Sequence, residues 1–198
     1  MTNFLFKDRD GQTPLPSEFQ KGLKLKHIQN MGELDEYEEQ NIAEGLVWLA
    51  SQREGGETYD FWLKLHRKLF SDVWEWAGQV RTYELNNPDF LQSHKIWPAL
   101  RQLEGDLAFW MKEKSFLPQE TAAHFHERIE TIHPFANGNG RFGRIVVENL
   151  CEKNGWKIPT WGSSLRDAPK DRRQSYITAL ATARWTHDYT KLVAFMFS

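Results

Sequence analysis

The chain has 198 residues, enough for one domain with a sizeable core. It carries 25 Lys and Arg against 27 Asp and Glu, a formal charge of −2, which excludes the strongly basic balance of a dedicated nucleic-acid binder. Its one cysteine, Cys151, excludes an internal disulfide and every multi-cysteine zinc site.

At the N-terminus the apolar run Phe4-Leu5-Phe6 is too short for a signal-peptide core, and acidic residues follow at once. No stretch approaches the roughly 18–20 apolar residues of a membrane span. A cytoplasmic protein without membrane contact is expected. Residues 1–30, with Pro14 and Pro16, read as an extended arm, and 31–198 as a single domain. A first helix is expected over 33–53, where Leu34, Tyr37, Leu46 and Leu49 keep helical spacing, with Gly55-Gly56 as its stop. Thr58 then suits an N-cap for a helix whose Phe61, Leu65 and Leu69 share one face. Ser93 is expected to cap a third helix, carrying Leu100, Leu103, Leu107 and Trp110.

Pro118 suits the first position of the next helix, where Ala122, Phe125, Ile129 and Ile132 step three, four, three. Further helices are expected from Arg141 to Lys153, from Pro169 through Tyr176, Leu180 and Ala183, and over 189–195. The exception is 79–96: β-formers at Val80, Tyr83 and Leu85, a turn signal at Asn86-Asn87-Pro88, then Phe90 and Leu91. The spacing predicts a short hairpin leaning on the helices. The expected fold class is therefore mainly α, a helical bundle with a small β-hairpin flap.

The chemistry concentrates in His133–Arg144, HPFANGNGRFGR. Pro134 biases His133 away from helical geometry as the helix before it ends. Phe135 is an apolar anchor in a polar loop, and two glycines in Asn137-Gly138-Asn139-Gly140 permit positive φ and close backbone approach. Loop amides at a helix start form an anion site. Arg141 and Arg144, at i and i+3, lie on one face of the first turn. Positive charge there opposes the macrodipole unless an anion fills the gap. The sum is a phosphate cradle with an imidazole at its rim, able to take a proton from an attacking hydroxyl.

At these residues the chain resembles the Fic/Doc family, whose motif HPFx[DE]GNGRxxR it matches at His133, Pro134, Phe135, Gly138, Asn139, Gly140, Arg141 and Arg144. FSDVWEWAGQVR (70–81) is similar to the family's approach to its flap, and the whole chain is similar to the Fic subfamily called mobile mystery protein B, associated with mobile elements. The resemblance implies a Fic fold and a protein adenylyltransferase, moving AMP from ATP to a Ser, Thr or Tyr hydroxyl of a target protein. His133 would be the general base. Phe135, Gly138, Asn139, Gly140, Arg141 and Arg144 would form the nucleotide-binding set, with Asn139 orienting the α-phosphate and the arginines on the β- and γ-phosphates. The flap would align the target by main-chain pairing.

The departure is Asn137, where the family usually has Asp or Glu binding Mg²⁺. An amide oxygen carries no charge, so metal affinity should fall. That leaves open a weakened transferase, a different transferred nucleotide, removal of AMP, or a binding module of the same fold without transfer. Many relatives are held off by a glutamate in [ST]xxxE[GN]. Glu44-Gly45 resembles it with Gln40 at the first place, and is the expected inhibitory pair, clamping Arg144. Glu54-Gly55 is a second near-match. Without a working clamp, an antitoxin-like partner would restrain activity.

His124 and His126, at i and i+2, point to different helix faces and do not make a metal pair with His133. His126 reads as a packing or orienting residue, Cys151 as buried core and His66 as structural or surface. Of nine tryptophans, Trp74 and Trp76 are placed to brace the flap, and Trp97 to wall the target or base site.

Overall fold

The computed structural model describes residues 21–53 and 56–198. Asn30 starts the first helix, α1 (Met31–Ser51), by accepting the Glu33 N–H on its side chain. The buried stripe of α1 is Met31, Leu34, Glu38, Asn41, Ile42, Gly45 and Leu49, an i, i+3, i+4 pattern with two polar members. The helix ends at Ser51, ahead of the expected glycine stop. Gln52 is already extended, and of the Gly55-Gly56 pair Gly55 lies outside the described residues. Thr58 caps α2 (Tyr59–Phe70), accepting the Phe61 N–H at 3.3 Å. α1 packs along α2, and Gly45 lets it do so: a Cβ there would stand 2.8 Å from the Lys68 carbonyl oxygen.

The third helix, α3, runs from Ile96 to Glu113. Ser93 is not its cap. It opens a short 3₁₀ turn (Ser93–Lys95), and its N–H and hydroxyl both go to the Glu84 carboxylate. Then come α4 (Pro118–Ile132), α5 (Asn139–Lys153), α6 (Pro169–Thr186) and α7 (Thr190–Met196). Helix α5 begins two residues before the expected Arg141, with Gly138 as N-cap. α4 is the hub: α3, α5, α6 and α7 all pack on it, and it buries residues around most of its circumference. The fold is mainly α, as expected.

The hairpin is not there. A β-bridge joins Leu23 to Trp74, where residues 22–24 exchange main-chain bonds with 73–75. Part of the expected N-terminal arm thus lies on the domain through Leu23. Pro14 and Pro16 fall outside the described residues. Residues 79–92 form an irregular loop with no strand ladder between its arms. The Arg81 N–H donates to the Pro134 carbonyl and the Leu91 N–H to the Thr131 carbonyl, both at 2.9 Å. Pro88 has no N–H to give a ladder. The buried Arg81 guanidinium takes the carbonyls of Tyr83 and Leu91, the oxygens a partner strand would otherwise use. A side chain replaces the ladder and fastens both arms of the loop to the end of α4.

Candidate active site

The site is built where α4 ends and α5 begins. Helix α4 closes on His133 in the left-handed region (φ 46°, ψ 61°), and its N–H still reaches the Ile129 carbonyl. A left-handed non-glycine residue needs support. Arg81 supplies it: Nε donates to the His133 carbonyl at 2.8 Å. The imidazole Nδ1 lies 3.3 Å from the Glu130 carbonyl, which can only accept, so Nδ1 carries the proton and Nε2 keeps the lone pair. Phe90 stacks on the ring at 3.7 Å between centroids. Burial, helped by the Arg81 and Arg184 charges, pushes the His133 pKa down to about 4, so the ring is a neutral base at pH 7.

After His133 the chain turns inward. Phe135, expected in the nucleotide set, is instead a fully buried anchor, stacked on His66 at 3.6 Å and edge-on to Phe142 at 5.1 Å. Asn139 is likewise a builder of the loop. Its side chain accepts the Phe135 N–H and donates to the Phe135 carbonyl, both at 2.9 Å, closing the loop on itself. In this structure both ends of the buried amide are committed to the loop's own backbone. Gly138 takes φ 76°, and a Cβ there would meet the Phe70 ring at 2.8 Å. It must be glycine twice over, for conformation and for space. Gly140 stays half-buried in the first turn of α5, beside Arg144.

The two arginines take different neighbours. Arg141 donates to Glu38 Oε2 of α1 at 2.5 Å and lies over the Phe70 ring at 4.8 Å. Arg144 is hydrogen-bonded to Tyr176 of α6. Behind the loop, burial pushes the Glu130 carboxyl up to about 7, against the pull of Arg144 and Arg184. His126 is held well below its usual range, to about 3, by burial and by Arg144, with Nε2 2.9 Å from the Tyr176 hydroxyl. It is fully buried, packed against Trp161 and Tyr176. Burial also keeps the Cys151 thiol protonated, pushed up to about 12, so it is core and no nucleophile.

The expected inhibitory pair is corrected. Glu44 is exposed, and its partner is Gln40 of the same helix at 3.3 Å, not Arg144. Gly45 is a helix-packing glycine. Among the described residues the glutamate that reaches the loop is Glu38, six residues earlier and 5% exposed, held by Arg141 and by the Trp74 indole N–H at 2.7 Å. Glu54-Gly55 lies outside the described residues. Trp74 and Trp76 stack on each other at 4.9 Å. Trp97 is 45% exposed, edge-on to Tyr59.

For a metal the donor set is poor. The Asn137 Oδ1 accepts the Gly138 N–H of its own loop at 2.7 Å, and no group of three His, Cys, Asp or Glu converges among the described residues. A neutral oxygen already engaged does not fit a resident Mg²⁺ site of the chain's own making.

Three residues that hold the loop escaped the sequence reading: Glu38, His66 and Arg81. The signal was present for two of them. Glu38 sits on the α1 stripe between Leu34 and Ile42, and His66 on the α2 stripe of Trp62, Leu65, Leu69 and Phe70. A titratable residue on an apolar stripe must find a buried partner. Arg81 carried no such pattern.

The segment that carries this geometry is similar to known proteins. Residues 57–151 match the model of the Fic/DOC family. The match covers a little under half of the chain. The probable protein adenylyltransferase Fic of Escherichia coli K12 is 32% identical over 119 residues, covering 56% of this chain and 58% of that protein. The chain thus spans little more than half of that relative's length. The probable protein adenylyltransferase y4lH of Sinorhizobium fredii is 29% identical over 145 residues, 67% of this chain and 71% of that one. Among solved structures, BepC of Bartonella tribocorum with bound AMPPNP superposes with a TM-score of 0.67 at 21% identity, over 87% of this chain and 88% of that one. At that identity the likeness concerns the fold. No described helix is long and apolar enough to cross a membrane.

Proposed function

We propose that this protein is a protein adenylyltransferase, transferring AMP from ATP to a Ser, Thr or Tyr hydroxyl of a target protein. The carrying observation is His133: a neutral imidazole with Nδ1–H committed to the Glu130 carbonyl, so that Nε2 is the acceptor at the rim of the loop. The target oxygen attacks the α-phosphorus while its proton passes to His133 Nε2. The bond from the α-phosphorus to the bridging oxygen breaks, and pyrophosphate leaves. Arg141 and Arg144, with the loop amides of Gly138 and Gly140, offset the charge on the phosphates. Binding those anions also raises the basicity of His133, since they oppose the Arg81 and Arg184 charges that lower it.

Names and structures of relatives support this reading: adenylyltransferases among the curated proteins, and AMPPNP bound in the Bartonella fold relative. Magnesium, called for at Asn137 by the resemblance, enters no step here, because the donors do not fit it. Arg141 must leave Glu38 to reach a phosphate, so the ligand-free state is a restrained one. An antitoxin-like regulator, a cytoplasmic setting, the mobile mystery B affiliation and a single domain over 31–198 with its arm belong to the same proposal. The test uses host lysate, ATP and divalent metal, with intact-mass analysis of the labelled protein. A target gaining one AMP, and losing it with His133→Ala, supports the proposal. A target modified equally by His133→Ala refutes it.

A further inference from the structure

His66 is fully buried on α2 and makes no contact with solvent. Both ring nitrogens are used, by two segments distant in sequence. The Gly78 N–H, where the irregular loop begins, donates to Nδ1 at 2.9 Å. Nε2 lies 3.1 Å from the Asn137 carbonyl. An N–H only donates and a carbonyl only accepts, so one proton placement satisfies both: neutral imidazole, protonated on Nε2. Phe135 stacks flat on the ring at 3.6 Å, and Phe70 and Phe142 pack around it. The ring is therefore fixed in tilt, depth and tautomer.

In a trans peptide the carbonyl and the following N–H point in opposite directions. Holding the Asn137 carbonyl toward α2 turns the Gly138 N–H away from α2. On that side the Gly138 N–H meets Asn137 Oδ1 at 2.7 Å. This is a single acceptor oxygen, standing where a phosphate oxygen would accept the same amide.

We propose that His66 is a positioning residue of the loop between α4 and α5: its Nε2–H fixes the Asn137–Gly138 peptide so that the Gly138 amide faces the phosphates, and its Nδ1 ties that peptide to the start of the irregular loop at Gly78. The inference rests on the nucleotide-transfer reading and names a group that reading does not use. His66 touches no reacting atom. It acts through a peptide plane, and it joins the two segments that would carry nucleotide and target. Its Nε2 bond is the one that matters for phosphate, and its Nδ1 bond the one that matters for the loop.

The two bonds separate by substitution. A Gln side chain reaches the Nε2 position and an Asn side chain the Nδ1 position, so His66→Gln keeps the donor to Asn137 and His66→Asn keeps the acceptor for Gly78. ATP affinity is measured by calorimetry, well below each variant's melting temperature. The expected result is a loss of about tenfold for His66→Asn, the scale of one hydrogen bond to a charged group, and less than about threefold for His66→Gln. Equal losses in both, or losses that merely follow the melting temperatures, overturn the proposal. If the wild-type protein binds no ATP, the transfer reading fails. The positioning claim is then decided in the ligand-free protein by the Gly138 amide ¹⁵N–¹H resonance, displaced in His66→Asn and retained in His66→Gln. A Gly138 resonance unmoved in His66→Asn overturns it.

Discussion

Replacing Glu38 by Gln should tighten nucleotide binding. Glu38 Oε2 holds Arg141 at 2.5 Å, with side-chain exposures of 6% and 21%. Oppositely charged groups about 4 Å apart near a protein surface attract by about 4 kcal/mol at an effective dielectric of 20. Breaking such a pair also strands a buried carboxylate beside incoming phosphates. Much of this is returned when Arg141 finds a phosphate, and hydration of the parted groups returns more. A net handicap of roughly 1–2 kcal/mol remains, or about a 5–30-fold weaker ATP affinity than an unlatched loop would show. Gln keeps the shape and an oxygen for the Trp74 indole, so the local fold survives. Calorimetric titration of ATP into wild type and Glu38→Gln, at low and high salt, measures the difference. The gain should shrink with salt. An affinity unchanged within twofold, or weaker, would refute the latch.

The remaining predictions concern the loop and its histidines. His66, His126 and His133 are held at about 3, 3 and 4 in the fold, below the 6.5 of an open chain, so the unfolded state binds more protons below pH 6.5. Their contribution is complete above 6.5 and is lost as pH falls toward 4. Glu130, raised to about 7, works in the opposite sense between about 4.5 and 7. The balance is about two protons, so stability should fall by on the order of 2–3 kcal/mol per pH unit at the steepest point below 6.5. A melting temperature flat from pH 7 to 5 contradicts it. Gly138→Ala, with φ 76° and 2.8 Å to Phe70, should destabilise by roughly 1–3 kcal/mol and abolish detectable ATP binding; chemical denaturation and calorimetry check both. Asn137→Asp should steepen the Mg²⁺ dependence of ATP binding by supplying a charged oxygen; an unchanged metal titration removes that account of the position.

The bundle was legible because its helices carry their own punctuation. Thr58 and Pro118 open α2 and α4 where expected, and the stripe of Ala122, Phe125, Ile129 and Ile132 is buried as its spacing required. The loop chemistry was legible for the same local reason: His133, Gly138 and the two arginines sit within 12 residues. What failed was long-range. The alternation at 79–91 reads as a hairpin, but a ladder needs carbonyls that the Arg81 guanidinium has taken from Tyr83 and Leu91. Glu44 came close to a motif, short of it at Gln40, yet the tight α1–α2 contact at Gly45 leaves Glu44 in solvent and points Glu38 at Arg141 instead. Asn139 and Phe135 lie inside the motif but are consumed in building it, which a spacing pattern does not distinguish from ligand contact.

The central claim is transfer of the α-phosphate with its nucleoside. Parallel reactions with α-labelled and γ-labelled ATP, target-containing lysate and either wild-type protein or His133→Ala test it directly. The account predicts protein-bound label from α-labelled ATP alone, absent with His133→Ala. Label arriving from the γ-position, or α-label that persists without His133, would contradict it.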